Sequence, residues 1–200
     1  DTEQFTWNVA FVAEGTQTII YDDLDAQVTG FAGDIPDSYW SVEGSSTDWQ
    51  RLEIGSSLVN IGASAFSNNV NLSGALTIPS GVRNIKNSAF QNTKIESLTI
   101  ESGVTGIQDN AFQGLSSITG DITIPSSVDI IGNGGFYGLG GDHIYIDARE
   151  LVGNTFGNGT YTGVTLGPNV ERIGSACFYN NTPNIQTFTN DTPNLKYIDE

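Results

Sequence analysis

The sequence predicts a repeat solenoid, mostly β with short turns or helical segments, wound as a superhelix and closed at its N-terminus by a β cap. Three observations carry that prediction. A Phe recurs at a near-constant interval, apolar residues stand at fixed offsets before it, and each interval holds one alternating apolar segment. Self-similarity of this kind marks units of roughly twenty-odd residues that cannot hide their own apolar face and must stack.

Aligned on Phe66, Phe90, Phe112, Phe136, Phe156 and Phe178, the chain advances in steps of 24, 22, 24, 20 and 22 residues. Five residues before each Phe stands Ile61, Ile85, Ile107, Ile131, Leu151 or Ile173, and three before that Leu58, Val82, Val104, Val128, Ala148 or Val170. The residue next to the Phe is small or narrow: Ala65, Ala89, Ala111, Gly135, Thr155, Cys177. Such a slot lets neighbouring coils approach, so Cys177 reads as a packing residue and not as a nucleophile. Each unit opens on an alternating pair: Leu52/Ile54, Leu76/Ile78, Leu98/Ile100, Ile122/Ile124, Ile144/Ile146, Val164/Leu166. One residue between two apolar ones is the signature of a strand with a single buried face. Pro79, Pro125 and neighbouring Gly and Ser supply the turns that follow. Length variation falls in the connections and leaves the apolar spacing intact.

These units, above all "LTIPSGVRNIKNSAF" and "ITIPSSVDIIGNGGF", resemble BspA-like leucine-rich repeats, whose pattern runs roughly as strand, I-P-x-x-V-x-x-I-G-x-x-A-F. The likeness covers about Leu52 to Glu200. It departs from the pattern where the Cys often found after A-F is missing, where Lys86, Gln108 and Val152 replace Gly, and where "IYIDARELVGNTF" has lost its I-P turn. The resemblance implies a leucine-rich-repeat-like right-handed superhelix and a role in adhesion to host or matrix proteins or between cells.

Residues 1–50 fall outside the repeat, and 51–200 form the solenoid, about six units plus a truncated last coil. "FTWNVAFVA" and "QTIIYDD" read as strands of a hairpin or meander, and "QVTGFAGDIP" as a leading strand and turn. This segment is expected to cap the first coil or to form a small β module. Tyr39, Trp40 and Trp49 are expected to cover that end of the core. At the other end, Leu195 and Ile198 repeat the three-residue offset, so the next Phe would fall at position 203, past Glu200. A fragment of a longer protein, or an end covered by another chain, is expected, with self-association through the open coil.

Asp and Glu number 23 against 7 Lys and Arg, a formal net charge of −16, which disfavours nucleic acid and anionic membranes because phosphate binding needs Lys and Arg. One cysteine rules out an intrachain disulfide, and one histidine, His143, rules out metal sites built on several His or Cys. No apolar run is long enough to span a bilayer. Calcium needs only oxygen ligands, and Asp22, Asp23 and Asp25 form the best local cluster, without EF-hand spacing or its Gly. No phosphate loop, nucleophile elbow or zinc-protease motif is present. Neither a cofactor nor an enzyme activity is therefore expected.

Binding suits the fold better. The residue between the two core positions of each strand faces outward, giving the column Glu53, Thr77, Thr99, Thr123, Tyr145 and Thr165. A structural Thr ladder would use the same positions. A second outward column holds Arg83, Asp129, Arg149, Glu150, Glu171 and Arg172, a mixed-charge pattern suited to a protein surface. The reading is a non-enzymatic module, extracellular or at a cell surface, presenting a face to a protein or glycan ligand. The alternative is a structural or receptor-contacting part of a larger assembly, such as a virion appendage or extracellular filament.

Overall fold

The computed structural model describes residues 6–7, 18–22, 25–29, 33–35, 37, 51–56, 58–181 and 185–199. Tyr39, Trp40, Trp49 and Asp23 lie outside them. Strands β1 (Thr6–Trp7), β2 (Thr18–Asp22) and β3 (Asp25–Thr29) pair antiparallel, and β4 (Gly33–Ile35) follows. Each later coil brings one strand to a first side and one to a second. The first-side strands are β5 (Arg51–Ile54), β7 (Ser73–Ile78), β9 (Lys94–Ile100), β11 (Ile122–Ile124), β13 (His143–Ile146), β15 (Gly163–Leu166) and β17 (Thr187–Asn190). Interleaved with them on the second side are β6 (Leu58–Ile61), β8 (Asn84–Ile85), β10 (Gly106–Ile107), β12 (Ile130–Ile131), β14 (Glu150–Leu151), β16 (Arg172–Ile173) and β18 (Tyr197–Ile198).

The second side is one parallel sheet of eight strands, from β4 to β18. Its register sets the repeated aliphatics opposite one another: Ile61↔Ile85, Ile85↔Ile107, Ile107↔Ile131, Ile131↔Leu151 and Leu151↔Ile173. The first side is broken into three sheets: β3 with β5, β7 with β9, and β11 through β17. Within each, the apolar pairs align, as in Leu76↔Leu98 and Ile122↔Ile144. The β3–β5 and β4–β6 pairings bring two strands of residues 1–50 into line with the two strand columns of the solenoid.

All the aliphatic positions assigned to the core are buried, as are Phe66, Phe90, Phe112, Phe136 and Phe156. Phe178 is partly buried against them. The rings stack face to face with centroids 5.0, 5.4, 5.1, 5.3 and 5.8 Å apart along the series. Such spacing lies within the range where aromatic pairs attract beyond their area alone.

The expected helical segments do not form among the described residues; the Phe-bearing third side is a run of turns. Two residues before each Phe the backbone has positive φ (Ser64, Ser88, Asn110, Gly134, Asn154, Ala176), and again two after it (Asn68, Asn92, Gly114, Gly138, Asn158, Asn180). A right-handed helix cannot pass through left-handed residues, and Asn and Gly adopt that conformation at least cost. The alternation splits the amide donors between two tasks. The N–H groups of Ser64, Phe66 and Asn68 donate to Asn87, Ala89 and Gln91 of the next coil at 2.8, 2.7 and 2.7 Å. Those of Ala65, Ser67 and Asn69 close turns within their own coil on Gly62, Ser64 and Phe66. Side-chain amides repeat the pattern: Asn92 donates to Asn68 at 2.9 Å and Asn180 to Asn158 at 2.7 Å.

The missing I-P turn of the fifth unit is replaced chemically. Asp147 stands after the strand, and its carboxylate accepts from the Asn169 backbone N–H and side-chain amide, both at 2.9 Å.

Candidate functional site: an outward sheet face

Glu53, Thr77, Thr99, Thr123 and Tyr145 are exposed, and Thr165 is half-buried. Backbone register sets Thr77 opposite Thr99 in one sheet, and Thr123, Tyr145, Thr165 and Thr189 in line in another. Glu53 lies in the third sheet, so the column is not one continuous ladder. Tyr145 is its large member, 42% exposed. The His143 ring stands 4.4 Å from the Tyr145 ring, and His143 Nε2 shares a 2.8 Å hydrogen bond with Thr165 Oγ1. Gly163 makes room for this: a Cβ there would meet His143 Nδ1 at 2.0 Å. A packed imidazole, an exposed phenol and the Thr165 hydroxyl, on β13 and β15 that are each paired on both sides, make a rigid amphipathic contact surface.

Thr99 contributes little to folding by this placement. Thr99→Ala is expected to cost under about 1 kcal/mol, the scale of one cross-strand pair, read as a small shift of midpoint in a denaturant titration. A loss as large as that from truncating a core Phe would mean the two faces are exchanged.

Most charges of the second column are paired, within it or with the last coil. Arg149 bridges Asp129 of the preceding coil and Glu150 beside it. Lys196 pairs with Glu171 at 3.0 Å and Arg172 with Asp199 at 2.7 Å. Arg83 donates to the Gly103 carbonyl at 2.9 Å. The Arg149 hydrogen bond holds the Asp129 carboxyl below its usual range. Asp37 is held low chiefly by the Ala63 N–H and secondarily by Lys86. Both carboxylates therefore add stability at neutral pH that fades as acid protonates them, and screening keeps it small at such exposed groups. Charges already partnered have less to offer a ligand than the exposed Tyr145 ring has.

Asp22 and Asp25 are opposite one another at the end of the β2–β3 hairpin. No group of three or more His, Cys, Asp or Glu able to hold a metal occurs among the described residues. Cys177 is buried, and desolvation pushes its thiol up to about 12, as expected for an inert packing residue. No helix among the described residues is long and apolar enough to cross a membrane. At the last coil, Phe188, Tyr197 and Ile198 are exposed, Ile198 at 69%. Phe188 takes the register of the first core position, opposite Val164, and Asn190 that of the second, opposite Leu166.

One group of functional weight for the fold escapes sequence reasoning. Asn181 is fully buried three residues after Phe178. Its amide donates to the Phe156 carbonyl at 2.6 Å and to the Tyr161 hydroxyl, and its oxygen accepts from the Gly159 N–H at 2.6 Å. Tyr161 also donates to the Phe156 carbonyl at 2.8 Å, and burial raises the pKa of its hydroxyl.

No curated protein matches the chain in sequence. Among solved structures, a leucine-rich repeat protein from Eubacterium ventriosum superposes with a TM-score of 0.59 at 17% identity, over 96% of this chain and 73% of that one. A leucine rich cell surface protein from Faecalibacterium prausnitzii gives 0.63 at 18% identity, over 96% of this chain and 56% of its own length. At such identity these likenesses speak for the fold. The sequence itself matches the BspA type leucine rich repeat region in six copies over residues 44–158 and 143–200. With that match across most of its length, and the repeat's aliphatic and Phe columns buried coil after coil, the chain belongs to the BspA-type leucine-rich repeat family.

Proposed function

We propose that the chain is a non-enzymatic binding or adhesion module that presents its outward sheet face to a protein or glycan partner at a cell surface. The observation that carries this is the Tyr145–His143 pair, an exposed aromatic anchor on a rigid strand paired on both sides, whereas most charges of the second column are already paired. Exposed aromatics on a fixed backbone lose little entropy on contact and are frequent anchors of interfaces. Membership of a repeat family that includes surface proteins supports the location, as does the likeness to a chain described as a cell surface protein.

Retention of the purified chain on intact cell layers tests the proposal. Tyr145→Ala is expected to weaken retention about tenfold, the effect of losing one interfacial anchor, while Arg83→Ala leaves it nearly unchanged. The reverse order would move the binding face to the charged column.

A second reading, a structural or receptor-contacting part of a larger assembly, rests on the exposed Phe188, Tyr197 and Ile198. Copies would then self-associate through these exposed side chains of the last coil. Light scattering over a concentration series separates the readings: mass rising with concentration, and abolished by Ile198→Glu, favours assembly.

A further inference from the structure

On the third side of the solenoid, two columns that run through every coil are both interrupted at the fifth. Three residues before the Phe the column reads Ala63, Asn87, Asp109, Asn133, Gly153, Ser175; one residue after it, Ser67, Gln91, Gln113, Tyr137, Gly157, Tyr179. At the first of these interruptions, Gly153, an open slot of about 480 Å³ lies between the fourth and sixth coils, lined by Asn133, Gly153, Asn154, Ser175, Ala176 and Tyr179. The place of a Gly157 side chain is taken by the Asn154 amide oxygen and the Tyr137 ring.

Elsewhere on the solenoid many polar side chains are satisfied from coil to coil, although the Asn69 side-chain nitrogen is also hidden without a partner. Asn84 donates to Asn60 at 2.8 Å, Gln91 to Gln113 at 2.6 Å, and Asp109 accepts from the Asn133 N–H at 2.8 Å. Around the slot that pattern stops. The Asn154 side-chain oxygen is hidden from solvent and has no hydrogen-bond partner. The Asn133 amide, the Ser175 hydroxyl and the Tyr179 hydroxyl make no side-chain hydrogen bond among the described residues, and the Tyr179 ring is 64% exposed. An unsatisfied hidden oxygen is costly; it lies where a Gly157 side chain would stand, so a turn of the Asn154 side chain is what would offer it to a guest in the slot.

We infer that this slot binds a neutral hexose-type saccharide unit. The lining holds amides, hydroxyls and one exposed aromatic ring, with no carboxylate, cation or thiol. Planar amides and a hydroxyl suit the paired donor and acceptor character of sugar hydroxyls, and the Tyr179 face suits the C–H face of a pyranose ring. An extended peptide is disfavoured, because the backbone here is engaged: Asn154 N–H donates to Ser175 O, and Asn158 N–H to Tyr179 O, each at 2.8 Å. Strand addition needs free backbone groups. An anionic sugar is disfavoured by a net charge of −16 and the lack of any cation in the lining. The slot is on a different side from the Tyr145 face, so this inference does not depend on the binding role proposed for that face.

The test is a titration of the ¹⁵N-labelled chain with methyl β-galactoside, methyl β-glucoside and N-acetylglucosamine, followed by amide chemical shifts. Saturable shifts at Gly153, Asn154, Ser175 and Ala176 with at least one of the three are expected. Tyr179→Ala should weaken that binding about tenfold and Asn133→Ala measurably, whereas Tyr145→Ala should leave it unchanged. Both substituted slot residues are exposed, so the variants keep the fold, and unperturbed amide spectra outside the slot verify this. Absence of a saturable shift with all three sugars, or equal affinity in Tyr179→Ala, overturns the assignment.

Discussion

Phe112→Ala is expected to lower the unfolding free energy by about 3–5 kcal/mol, the range for deleting a buried ring from a packed core. The ring is fully buried and stacks on Phe90 at 5.4 Å and Phe136 at 5.1 Å, so its removal strips contact from both neighbouring coils. The void cannot close easily. Coil spacing on this side is fixed by backbone bonds from Phe90 N–H to Ala111 O and from Phe112 N–H to Gly135 O, each 2.8 Å. A relaxation that filled the hole would have to stretch them. Urea denaturation of wild type and variant gives the number directly. A loss below about 1 kcal/mol would show that the column is not the packed spine described here.

Asn181→Ala should cost about 2–4 kcal/mol although it removes only one polar group. The loss comes from what stays behind. Gly159 N–H loses the acceptor it holds at 2.6 Å, and the Tyr161 hydroxyl loses one of its partners in a fully buried setting. The Phe156 carbonyl keeps the Tyr161 hydroxyl as donor, which is why the cost stays below that of three orphaned groups. Asn181→Asp separates the donor from the acceptor function. Its carboxylate still accepts from Gly159 but, ionised, has no proton to give Phe156, so it should be no better than Ala at neutral pH and recover as the pH falls. A similar loss for both variants at low pH would place the stabilisation in packing instead.

The aliphatic and Phe columns were legible because their signal is local and repeated. Leu76, Ile78, Val82, Ile85 and Phe90 lie within one unit, and five other units state the same spacing. The small slot, from Ala65 to Cys177, was legible for the same reason. The turn run around each Phe was half visible. Asn68, Asn92, Gly114, Gly138, Asn158 and Asn180 all stand two after a Phe and all favour positive φ. Ser64, Ser88 and Ala176 do not announce that conformation; it is imposed by the bonds to the next coil. Contacts across coils were out of reach. The partner of Asn181 is Tyr161, 20 residues away, and nothing near either predicts the meeting. Gly153 reads as a turn glycine, and only stacking against Asn133 and Ser175 of the neighbouring coils makes it part of a slot. Of the outward column, orientation was legible, while its division among three sheets depends on coil-to-coil offsets that no single unit encodes.

The splitting of amide donors on the Phe-bearing side has a mechanical consequence. With a continuous strand ladder on the second side, an interrupted one on the first and alternate turn amides reaching the next coil on the third, bonds between coils run along the long axis on all three sides of most coils. Tension drawn end to end therefore meets these contacts in series, and coils should detach one after another. A tug delivered sideways at a single coil is shared by the bonds on all its sides at once, and single-molecule extension in the two directions reads the difference.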